Sequence, residues 1–105
     1  MSTQEQIRVE DIFKGMIIFL EDYSNGRCPL PKLASELGSA IDELSTIDNT
    51  HVDRLRKEWV TIDVANSEAL EENKLTPRPD DVIYVNEAIN NLRKFITQAL
   101  DKGST

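Results

Sequence analysis

The chain has 105 residues, 39% of them hydrophobic and 30% charged, with 4 Gly and 4 Pro. That is enough chain for one modest core, and the composition is that of an ordered domain, which argues against a deep cleft between two lobes and against a disordered polymer. A formal net charge of −7 argues against direct binding of nucleic acid, which needs a positive footprint.

The first element in chain order is a helix over about residues 4–23. Ile12, Met16 and Leu20 recur at helical spacing, with Val9, Phe13 and Tyr23 beside them. The run Met16-Ile17-Ile18-Phe19-Leu20 is apolar on every side, which reads as a central helix. Ser24-Asn25-Gly26 is a stop signal. Cys28-Pro29-Leu30-Pro31 then runs extended, because each proline disfavours helix in the residue before it.

Pro31 suits the first turn of a second helix over about residues 31–45, with Leu33, Leu37, Ile41 and Leu44 on one stripe. Ala34 and Gly38 are small enough for a close helix approach. Asp48-Asn49-Thr50 offers caps for a third helix over about residues 50–73. Its stripe is Val52, Leu55, Trp59, Ile62, Asn66 and Ala69, with Leu70 at the edge and Asn73 as a C-cap. Asn66 is polar in mid-stripe, a pattern that fixes bundle register.

Thr76-Pro77-Arg78-Pro79 breaks the chain again. Asp80 and Asp81 begin a fourth helix over about residues 80–101, where the dipole favours acids. Val82, Val85, Ile89, Leu92, Ile96 and Ala99 form its core stripe, with Phe95 beside it. These four amphipathic elements with short connections predict an all-α protein, a four-helix antiparallel bundle in a single domain over residues 1–105. Residues 1–3 and 103–105 are expected to be frayed.

One Cys and one His give no intramolecular disulfide and no metal-ligand spacing, so no metal or other cofactor is expected. The N-terminus lacks a signal-peptide pattern and the longest apolar run is too short for a bilayer, so a soluble cytoplasmic protein without membrane contact is expected. No phosphate loop, nucleophile elbow or repeat is present. The acid pairs Asp42-Glu43, Glu71-Glu72 and Asp80-Asp81 are adjacent, so on a helix they diverge by about 100° and do not make a catalytic carboxylate pair. The chain reads as a non-enzyme.

The charge is uneven. Between Glu36 and Glu72 ten acids face three bases, and outside that stretch acids and bases cancel. A solvated acidic face is one reading. The other is a docking surface for a basic protein partner, carried by Glu36, Asp42, Glu43, Asp63, Glu68, Glu71 and Glu72, with Tyr23 and Tyr84 as interface anchors. This reading requires the second and third helices to pool their carboxylates on one face. Four other residues read as structural: His51 as a surface residue at a helix start, Cys28 as a small, partly buried hydrophobe, Trp59 as core packing and Asn66 as a register residue.

The segment Phe19-Leu20-Glu21-Asp22-Tyr23-Ser24-Asn25-Gly26-Arg27-Cys28-Pro29-Leu30 leads into Leu33, Leu37 and Ile41. Glu58-Trp59-Val60, the stretch Ala65 to Leu70 and the start Pro79-Asp80-Asp81 follow. Across about residues 12–97 this pattern of helix ends and apolar positions resembles the small all-helical immunity proteins encoded beside bacterial polymorphic and contact-dependent growth inhibition toxins. The resemblance implies tight binding to a cognate toxin domain, commonly a basic nuclease, which is neutralised in the cytoplasm by occlusion of its active site or by docking beside it. It carries over no binding residues. The free protein is then expected to be a monomer. The alternative is a helical adaptor or regulatory subunit acting through an apolar interface or as a homodimer, with the Met16–Leu20 run as its surface.

Overall fold

A computed structural model describes residues 3–103. They form four helices and, among the described residues, no strand: α1 (Thr3–Ser24), α2 (Leu30–Ser45), α3 (Val52–Glu71) and α4 (Val82–Gly103). Each helix packs on two others, α1 on α2 and α4, and α3 on α2 and α4, and among the described residues the backbones of the diagonal pairs do not approach closely. Short connections between neighbours make the bundle antiparallel.

The core is apolar throughout, with no buried polar or charged residue among those described. α1 contributes Phe13, Met16 and Leu20; α2 contributes Leu30, Leu33, Ala34, Leu37, Ile41 and Leu44. α3 contributes Val52, Leu55, Ile62, Ala65 and Ala69; α4 contributes Val85, Ala88, Ile89, Leu92 and Ile96. The run Met16–Leu20 is only partly a surface. Met16 and Leu20 are buried, Ile17 and Phe19 pack against the core, and Ile18 alone is exposed. With neighbours on two sides, α1 buries a wide arc of its circumference.

Helix ends follow the turn chemistry. Gly26 has φ 77, and Arg27 N–H donates to Asp22 O at 2.8 Å while Gly26 N–H donates to Tyr23 O at 3.1 Å. Asn73 has φ 58, with Lys74 N–H to Ala69 O at 2.9 Å and Asn73 N–H to Leu70 O at 3.0 Å. Both are Schellman stops with the left-handed residue just past the cap. Asn73, expected as the C-cap, thus stands one position beyond it; the C-cap is Glu72.

α3 begins at Val52 rather than residue 50, because Asp48 Oδ1 accepts from Thr50 N–H at 2.9 Å and from the Thr50 hydroxyl, closing a turn ahead of the helix. Of the segments expected to be frayed, only Thr3 and Gly103 are described. Thr3 and Gly103 are helical, and residues 1–2 and 104–105 lie outside the described residues.

Arg93, eleven residues into α4, donates to Ser24 Oγ at the end of α1 at 3.4 Å. The body is 47 Å long, whereas a 22-residue helix measures about 33 Å. Val82, expected on the core stripe, is instead 40% exposed. Leu70, at the edge of its stripe, is exposed too.

Candidate protein-docking face

Trp59 joins α2 to α3. Its Nε1–H donates to Ala34 O at 2.7 Å, and its indole lies on Gly38, where an added Cβ would sit 3.0 Å from Cζ2. The small pair Ala34 and Gly38 accommodates a ring as well as a helix. Asn66 lines the same groove and its Oδ1 is shielded without a partner.

The carboxylates expected on one face lie in three places. Glu36 and Glu43 line the α1–α2 groove, where Glu43 pairs with Arg8. Asp42 and Asp63 line the α2–α3 groove, where Asp42 pairs with Arg56 at 3.0 Å. Glu68 and Glu72 bracket Arg78 at 3.7 and 3.3 Å near the α3–α4 connection, and Glu71 is exposed beside them. The reason is helical geometry: adjacent residues such as Asp42 and Glu43 diverge by about 100° and enter opposite grooves. Four of the seven acids meet the chain's own arginines, although exposed pairs of this kind contribute only about 0–1 kcal/mol each. The two tyrosines also separate. Tyr23 packs against the core, and burial raises its phenol above the usual range; Tyr84 is 60% exposed.

What the fold does bring together is a graded face along the α3–α4 groove. At one end stand Arg54, Lys57 and Lys94. The Arg54 guanidinium sits 4.4 Å from the Phe95 ring centroid, and His51 meets the same ring edge-on at 5.1 Å. Asn91 Nδ2 donates to Glu58 Oε2 there at 3.3 Å. In the middle lie Val60 and Val64, 46% and 49% exposed, with Thr61, Ala65 and Tyr84.

At the other end stand Glu68, Glu71, Glu72 and Asp81. Glu68 holds its proton more firmly than an ordinary glutamate, chiefly because its acid form can donate to the Asp81 carboxyl, with desolvation and the Asp81 charge adding to the effect and Arg78 opposing it. Asp81 Oδ2 is buried without a donor, consistent with that pairing.

Sequence reasoning named Glu68, Glu71, Glu72 and Tyr84 of this face but missed Val60, Val64 and Lys94. The signal was present: Val60 and Val64 are four apart and stand opposite the Val52–Leu55–Ile62–Ala69 stripe. Among the described residues no His/Cys/Asp/Glu group could hold a metal ion, and no helix is long and apolar enough to cross a membrane. Comparison with family models, with curated proteins and with solved structures finds no match to this chain.

Proposed function

We propose that the chain is a protein-binding inhibitor of the immunity class, docking the basic surface of a toxin domain, of nuclease type, with the acidic end of the α3–α4 face. The observation that supports this reading is the juxtaposition of exposed Val60, Val64 and Tyr84 with the carboxylates Glu68, Glu71 and Asp81. An apolar centre with a charged rim is the usual anatomy of a protein interface. Long-range attraction between the carboxylates and a cationic partner would act mainly on the association rate and weaken with salt.

The test is co-expression with the C-terminal domain of the toxin encoded beside the chain, scored as rescue of growth, together with binding of the purified pair. E68K/E71K/E72K is expected to weaken binding by at least about tenfold while leaving helix content unchanged. Absence of rescue, or an affinity unaltered by the reversal, would overturn the proposal.

A further inference from the structure

The α3–α4 face carries a charge order that its suggested partner does not explain. Its cationic end holds Arg54, Lys57 and Lys94 around Glu58, its centre Val60, Val64 and Tyr84, and its anionic end Glu68, Glu71 and Glu72 around Arg78. Lys57 and Glu71 are fourteen residues apart on one helix, about 21 Å. That exceeds the roughly 8 Å screening length at physiological salt, so the ends act as separate poles. A surface with opposite poles about an apolar centre is complementary to its own copy turned end for end.

We infer that this face is a self-association surface, on which two copies of the chain pack α3 against α3 in antiparallel fashion. The two-fold axis crosses α3 at right angles near Val60 and Val64. Of the two ways to oppose identical faces, the axis along the helices would set lysines on lysines and carboxylates on carboxylates. The crossing axis sets Lys57 against Glu68 and Glu71 of the second copy, twice by symmetry. Val60 meets Val64 of the second copy and Val64 its Val60 at the centre, where removal from water contributes most. The body is 47 Å long and 22 Å across, room for the roughly 800 Å² per partner of an ordinary interface. This inference concerns the chain alone and stands or falls independently of any toxin, and it departs from the expectation of a free monomer.

The experiment is sedimentation equilibrium of the native chain and of three variants, each first verified as folded by far-ultraviolet circular dichroism. The native chain is expected to dimerise at about 10–100 µM and to do so more weakly as salt rises. Val64→Glu should weaken the dimer by about a hundredfold, since it sets two carboxylates in the apolar centre. Lys57→Glu and, separately, E68K/E71K should each weaken it by at least about tenfold, since each homodimer then has like charges opposed at both ends. An equimolar mixture of Lys57→Glu with E68K/E71K should recover association, because in the mixed dimer both ends again pair opposite charges. A native chain that stays monomeric to about 1 mM would overturn the inference. So would a dimer indifferent to Val64→Glu, or charge variants that do not rescue each other.

Discussion

Gly38 and Gly15 are both helical glycines, and their surroundings give them opposite expected responses to alanine. At Gly38 the new methyl would meet the Trp59 indole at 3.0–3.3 Å, and the indole cannot retreat while its Nε1–H is bonded to Ala34 O. The overpacking cost exceeds the gain in helix propensity, so Gly38→Ala should destabilise by about 1 kcal/mol. At Gly15 nothing lies within 4 Å of the new methyl, so Gly15→Ala should stabilise by about 0.5–1 kcal/mol. Urea denaturation of the two variants measures both signs. The sequence made Gly38 legible as a small residue, but not that an aromatic ring from α3 would occupy the space. That contact joins residues 21 positions apart, and spacing along one helix cannot report it.

At the level of the element, the connections are set by local chemistry that the sequence displays openly. The left-handed residues Gly26 and Asn73 close the two stops at the same end of the bundle, where Leu30 N–H also reaches Leu75 O at 3.4 Å. Asn73→Ala should cost about 1 kcal/mol, whereas Asn73→Gly should be neutral or stabilising, as thermal melts would register.

Asp48 offers a pH test. Hydrogen bonds from the Thr50 hydroxyl and backbone favour its ionised form, helped by the nearby His51 charge, and hold its carboxyl below the ordinary value despite slight desolvation. A depressed carboxyl contributes stability that is present above its unfolded value and is lost as pH falls through its folded one. Asp48→Ala should therefore lower the melting temperature at neutral pH, with the difference from the native chain shrinking as the solution is acidified. Where the sequence erred on elements it erred by one or two residues, as with the start of α3, because the Asp48–Thr50 turn competes with helix for the same backbone donors.

For the whole molecule, the four-helix arrangement was legible because each apolar stripe has to find a partner. The disposition of the charges was not, because it depends on which flank of each helix the neighbours cover. Asp42 and Glu43 were both expected on one pooled anionic face, yet they enter grooves on opposite sides of α2. The Arg93–Ser24 contact between α4 and α1 was equally hidden, since it joins helices far apart in the sequence. The continuous core shared by all four helices predicts a single cooperative transition. Trp59 emission, which reports the α2–α3 contact, and far-ultraviolet ellipticity, which reports all helices, should follow one denaturation curve. Separated midpoints would show that the hairpins unfold independently.

Cys28, buried within the α1–α2 connection at 6% exposure with its thiol directed to Pro29 O at 3.6 Å, has a consequence for reactivity. Burial raises its thiol above the ordinary range; Asp22 and Glu36 act in the same sense and Lys32 opposes them. A thiolate is the species that attacks disulfide reagents, so the folded chain should be nearly inert to them. Each labelling event would then record a moment when the bundle had opened, and the alkylation rate in native buffer would be a chemical clock for that opening.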